Sequence, residues 1–186
     1  EGSHCSVCGT VIEKQNTIAK VPATIYLTDS SLKMKTGQST TAFKATGFSE
    51  GDYVTAVTSN KPGTVKVTNV NKNGTFKLTA GKKKGSAVVT VTMASKKTAS
   101  FKVTVQKAAV KTTKITTTTK SLTLAKGATY KKLASSITVT PVTSKEKVSY
   151  SSSNKKVATV SSKGVIKAKK AGTTKITVKS GKKKIV

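Results

Sequence analysis

The residues best equipped for chemistry lie at the start of the chain. His4-Cys5-Ser6-Val7-Cys8-Gly9 holds both cysteines and the single histidine of the sequence. A Cys-x-x-Cys pair is compatible with three kinds of chemistry. It can be half of a structural zinc site, but Cys5, Cys8 and His4 offer three ligands where such a site takes four. It can be a redox pair, yet no βαβ pattern follows it. It can close a local disulfide or belong to an incomplete module. Cys5 and Cys8 therefore remain zinc candidates beside the disulfide reading, and no cofactor is expected.

Elsewhere the catalytic inventory is short. The acids are Glu1, Glu13, Asp29, Glu50, Asp52 and Glu146. Only Glu50 and Asp52 are near each other, in a glycine-containing turn, whereas a glycosidase pair must face across a cleft. Calcium at Glu50-Gly51-Asp52 would need several further oxygen ligands. With His4 as the sole imidazole, a Ser-His or Cys-His nucleophile would have to be assembled at the terminus. No enzyme is expected.

Charge dominates the composition: Lys+Arg is 35 against 6 acids, for a net +29, and every one of those basic residues is lysine. Such a chain attracts polyanions over long range. The absence of arginine argues against precise phosphate or guanine recognition, which favours the guanidinium fork. The clusters Lys82-Lys83-Lys84, Lys169-Lys170 and Lys182-Lys183-Lys184 are the candidates for holding an anionic cell-wall polymer or acidic glycan. The competing reading is a solubilising face that also guards sheet edges. Nucleic acid fits poorly, because no aromatic-basic interleaving of the single-strand-binding kind occurs. Aromatic side chains, the platform for sugar stacking, make up 4% of the chain with no Trp. Among them Phe48 and Tyr130 are the rings expected at the surface, with most of the others in the core.

These residues must be carried by strands. Val157, Thr159 and Ser161 alternate with Ala158 and Val160, the period-2 pattern of a strand with one buried face. Ser162-Lys163-Gly164 supplies a tight turn with Gly164 free to take positive φ. Residues 165–168 form a second strand, and Ile176 and Val178 alternate with Lys175, Thr177 and Lys179 in a third. Tyr150, Ser152-Ser153-Asn154, Val157-Ala158-Thr159-Val160, Gly164-Val165-Ile166 and Ala171-Gly172 before the strand to Val178 occur in an order and spacing that resembles the bacterial immunoglobulin-like group 2 family. The resemblance implies small extracellular sandwiches, usually in tandem, on bacterial surface or secreted proteins. The first twenty residues, EGSHCSVCGTVIEKQNTIAK, resemble the tail of a short Cys-containing repeat of large Gram-positive surface proteins.

Strand signals run through the rest of the chain. Residues 25–27, 32–35, 42–45, 53–57, 65–67, 75–79, 87–93 and 101–105 read as short strands. They are punctuated by Thr36-Gly37, Lys61-Pro62-Gly63 and the hairpin signal Asn71-Lys72-Asn73-Gly74. Strands at this spacing favour a sandwich. Ile115, Leu122-Thr123-Leu124 and Gly127 echo Ile25, Leu32-Lys33-Met34 and Gly37, a degenerate internal repeat. In the same comparison Ala56 stands where Tyr150 stands, and Ser59-Asn60 where Ser153-Asn154 stand. The expected organisation is a partial Cys-containing module over 1–20, a first Ig-like β-sandwich over 21–107 and a second over 108–186. Each sandwich should have about seven antiparallel strands, joined end to end by the stiff connection 106–113. The second repeat stops at Ile185-Val186, where the counterpart of the strand 101–105 has barely begun. Its last strand is expected to be truncated, leaving an unpaired edge.

No apolar run approaches the roughly 20 residues of a membrane helix, and no signal peptide precedes Glu1-Gly2-Ser3. The chain reads as an excerpt whose other domains lie in a longer parent. The expectation is a non-enzymatic spacer or stalk at the bacterial surface or in a secreted protein, with adhesion through the lysine surface as the alternative.

Overall fold

The computed structural model describes residues 22–186, so the expectations for 1–21, including Cys5 and Cys8, lie outside the described residues. Among the described residues the chain is all β apart from one 3₁₀ turn, Ala134–Ser136. In the first half, β2 (Ser31–Lys35), β9 (Thr98–Gln106), β8 (Gly85–Met93) and β5 (Val54–Ser59) form one sheet in that order. β3 (Ser39–Thr40), β7 (Lys77–Ala80) and β6 (Val65–Thr68) form a second, and β1 (Tyr26–Leu27) pairs with β4 (Ala45–Thr46). Alternation along β8 buries Ala87, Val89, Val91 and Met93 while the residues between face outward. These side chains meet Phe101, Val103 and Val105 of β9 and Val65, Leu78 and Ala80 of the facing sheet in one continuous core. That is the geometry of an immunoglobulin-like sandwich.

One pairing departs from the antiparallel expectation. β2 runs parallel to β9, with Leu32 opposite Val103 and Met34 opposite Val105. Period-2 alternation decides which face a side chain takes, not the direction of its neighbour. Here the second strand of the half lies against the last, an arrangement no local turn specifies.

The second half holds β10 (Lys114–Thr117) paired with β12 (Ile137–Thr140), and the sheet β11 (Thr129–Tyr130), β15 (Ile166–Ala168), β14 (Ala158–Val160). A third sheet is built from β13 (Val148–Ser152), β16 (Ile176–Ser180) and β17 (Lys183–Ile185). Gly164, in the turn joining β14 to β15, has φ +76° as its turn requires. The ladders make the internal repeat concrete. Tyr150 lies opposite Val178, and Ser152 opposite Ile176, just as Val57 lies opposite Val91 and Ser59 opposite Val89. Val57, not Ala56, is thus the counterpart of Tyr150. Asn60 N–H donates to the Val88 carbonyl as Ser153 N–H donates to that of Lys175, so the Ser-Asn echo also shifts by one residue. A bulge in the β5 ladder between Val54 and Ala56 is invisible to residue-by-residue comparison.

Between the halves, Val110 and Thr112 of the connection are buried. Gln38 Nε2 donates to the Thr143 carbonyl at 2.7 Å, Thr143 Oγ1 donates to the Lys33 carbonyl, and Val142 packs on the first core. The joint is therefore held by side chains from both halves rather than by the connecting segment alone.

The two cores differ in depth. In the second a cluster of three buried residues, Leu133, Ala158 and Ile166, has Leu124, Tyr130, Ile137, Tyr150, Val160 and Ile176 half-buried around it, with Ile115, Ala168 and Val178 buried beside it. The ladders of the last strands also correspond. Val178 pairs with Ile185 as Val91 pairs with Ala99. In the first half the ladder then continues through residues 101–106, whose Phe101, Val103 and Val105 fill the core. In the second half β17 covers Lys183–Ile185, in register with the start of β9.

Candidate functional site

Of the acidic pair singled out above, Asp52 serves structure. Asp52 accepts from Tyr53 N–H at 3.0 Å, Ser95 N–H at 3.1 Å and Ser95 Oγ at 2.7 Å. This ties the loop before β5 to the β8–β9 turn, while Glu50 stays exposed. Among the described residues no group of three metal-ligating side chains comes together.

Glu146 is the acid in the most structured setting. Its Oε2 accepts from Thr112 N–H at 2.7 Å, and Oε1 lies 3.5 Å from Lys111 Nζ. Thr112 Oγ1 sits 2.8 Å from Ser180 Oγ and 2.9 Å from Ser144 Oγ, so these hydroxyls satisfy one another where β16 passes the joint. The Thr112 backbone N–H is the chief cause that holds the Glu146 carboxyl below its ordinary range. Desolvation opposes it, and the Thr112 hydroxyl and Lys111 add to it. A carboxyl whose folded pKa is depressed stabilises the fold above its unfolded value, about 4.3 for glutamate. That contribution fades as pH falls below this value and is gone below the folded one. The stability difference between the native chain and Glu146→Gln should therefore be present at neutral pH and shrink on acidification through that window, read from urea midpoints. A difference that does not change with pH would remove the carboxylate from the account.

The lysine clusters occupy turns. Lys82, Lys83 and Lys84 are exposed in the connection from β7 to β8, and Lys169 and Lys170 are exposed just after β15. Because Val65 pairs with Ala80 as Ala158 pairs with Ala168, these two clusters hold equivalent positions one repeat apart. Lys182, Lys183 and Lys184, also exposed, lie in the β16–β17 hairpin. That hairpin is at the other end of β16 from Lys169 and Lys170, a strand of five residues or about 17 Å.

The aromatic rings sort differently from expectation. Phe48 is half-buried against the first core and Tyr130 is half-buried in the second. Tyr26 and Tyr53 are the exposed rings, at 65% and 39%. Tyr53 carries Lys72 Nζ 4.9 Å from its ring centroid, a cation–π contact. Burial raises the pKa of the Tyr150 phenol, in keeping with a core role.

A feature spread over distant segments completes the inventory. A groove of about 780 Å³ runs along the second half, floored by Leu122, Leu124, Ile166, Ile176 and Ile185. It lies where residues 101–106 lie in the first half. The walls come from segments more than forty residues apart, which local pattern does not join.

Residues 109–186 match the model of the bacterial Ig-like domain (group 2). No curated protein matches the chain. Among solved structures, domains 4 and 5 of the S-layer protein SbsC are 27% identical over 44% of this chain and 50% of that one, with a TM-score of 0.36. SbsC domains 4–9 are 19% identical over 89% of this chain and 30% of that one, with a TM-score of 0.43. The C-terminal fragment of intimin, solved in complex with the intimin-binding domain of its translocated receptor, is 16% identical over 86% and 60%, with a TM-score of 0.32. The chain spans less than two thirds of the length of each.

Proposed function

We propose that this chain is a non-enzymatic spacer in a bacterial surface or secreted protein, built from two tandem Ig-like sandwiches over 21–107 and 108–186. The match of residues 109–186 to the group 2 bacterial Ig-like domain supports a structural or adhesion-type module of a surface protein. The observation that carries the narrower reading is the placement of the lysine clusters on separate turns, two of them one repeat apart and the third at the opposite end of β16. At physiological salt, exposed charges more than about 8 Å apart are largely screened from one another, so clusters on different turns add little to each other's field. Side-chain bonds across the joint between the halves would let the pair hold other domains of a longer chain at a set distance. No helix among the described residues is long and apolar enough to cross a membrane, which says nothing about β-barrels.

Adhesion through lysine is the second reading, favoured by the net charge of +29. Retention on purified bacterial cell walls, with and without their anionic polymer, separates the two. The spacer reading expects binding at low salt that is lost by about 0.15 M and is indifferent to stripping. Retention that needs the polymer and survives that salt would overturn it, and alanine substitution of each lysine cluster would then locate the face.

A further inference from the structure

The chain enters and leaves the first half through neighbouring strands that run the same way. β2 is an edge strand, and it pairs with β9, the last strand of this half. Ser31–Lys35 lies parallel to Lys102–Gln106 over five paired residues, about 17 Å of ladder. The ladder is closed at both ends, by Lys102 N–H donating to the Ser30 carbonyl at 3.3 Å and Thr36 N–H to that of Gln106 at 2.9 Å. Entry at Ser31 and exit at Gln106 therefore lie at opposite ends of one ladder. Pulling the chain on either side of this half drives β2 and β9 past each other along their length. Parallel ladder bonds are evenly spaced, so such a pull strains them together. Antiparallel end strands would place entry and exit at one end, where the same pull parts the bonds one after another.

The surroundings leave β2 as the strand that must yield, and make its slip costly. β9 is held on its other side by eight paired residues of β8. Ahead of β2, β1 holds to β4 by two paired residues and gives way first. Along Ser31-Leu32-Lys33-Met34-Lys35 burial alternates, with Leu32 and Met34 in the core and the others exposed. A slip of one residue turns Lys33 and Lys35 to the core face. That face is lined by apolar side chains, where an unpaired lysine is costly to bury. We infer that the β2–β9 ladder is a load-bearing clamp, which keeps the first half folded when the chain is stretched end to end. Its use rests on the spacer reading, because a stalk fixed at one end and pulled at the other carries this load; its mechanics do not.

Single-molecule force spectroscopy on the whole chain tests this, with Cys5→Ser and Cys8→Ser leaving cysteine free for handles at exposed positions. Handles at Pro22→Cys and Ala108→Cys load the ladder in shear. Handles at Lys35→Cys and Ala108→Cys pull on one end of it and peel β2 away. Neither pair places the second half in the force path. At the same pulling speed the unfolding force should be several-fold higher in shear than in peeling. Forced unfolding is governed by the unfolding rate rather than by equilibrium stability, so direction alone sets that difference. Thr36→Pro removes the rung to Gln106 while suiting its turn. Gln38 N–H donates to the Lys35 carbonyl and Gly37 has φ +73°, a type II turn that favours proline at the position of Thr36. Its thermal midpoint should change little, because proline also restricts the unfolded chain, yet its shear force should fall. Equal forces in the two directions would overturn the proposal. So would a Thr36→Pro chain that keeps the full shear force, since the resistance would then lie outside this ladder. Wall retention reads binding and not force, so failure of the spacer reading and failure of the clamp are told apart.

Discussion

Phe101→Ala is expected to destabilise the first half by about 3–5 kcal/mol, a large share of the roughly 5–15 kcal/mol that keeps a domain folded. The Phe101 ring stacks on Phe43 with centroids 4.0 Å apart and lies 6.3 Å from Phe76. All three are buried at 2% exposure or less. In a half whose other buried core residues are Val, Leu, Met and Ala, these three rings are the largest side chains between the two sheets. Its removal leaves a cavity bounded by strands pinned in ladders on both sides, which cannot collapse to fill it. Urea unfolding followed by hydrogen exchange should show amides of β8 and β9 losing protection at lower denaturant. Those of β13 and β16 should hold, because Phe101 belongs to the first cluster alone. A loss below about 1 kcal/mol, the range of an ordinary surface change, would refute the packing. Equal loss in both halves would mean that they unfold as one unit rather than as two sandwiches.

Gly74→Ala should cost about 2–3 kcal/mol, although it adds a single methyl group. Gly74 has φ +82°, a region that costs an L-residue about 1–2 kcal/mol. A Cβ there would overlap the Ala45 carbonyl oxygen and come within 2.6 Å of Phe48 Cζ. The Ala45 contact is backbone and cannot swing away. The hairpin would have to shift, weakening the 2.9 Å bond from Ala45 N–H to the Gly74 carbonyl, worth about 0.5–1.5 kcal/mol. Gly37→Ala is the control: φ is +73° and nothing lies within 4 Å of the added carbon. It should therefore show the conformational cost alone. Equal midpoints for the two variants in thermal unfolding would mean that the contact with Ala45 carries no energy.

Alternation and turn residues made most strands readable because they are local. Val157-Ala158-Thr159-Val160 and the hairpin at Gly164 appear within a residue of where the pattern puts them, as β14 and β15. The echo of Leu32-Lys33-Met34 in Leu122-Thr123-Leu124 was also legible, but its outcome was not. The first forms β2 and the second forms no strand. Likewise Phe48 and Tyr130 read as surface rings while Tyr26 and Tyr53 are the exposed ones. Which side of a short, irregular strand faces inward depends on what packs over it.

By itself the sequence determined the all-β class, the repeat, the poverty of catalytic groups and the excess of lysine, since composition and period-2 pattern are properties of the chain alone. Only the tertiary structure decided the rest. It set the parallel pairing of β2 with β9, the register that matches Val57 with Tyr150, and the hydroxyl cluster around Thr112. It also joined Leu122 and Ile176 across one groove. Each of these is a relation between segments tens of residues apart, settled by which strands can bury their apolar faces together.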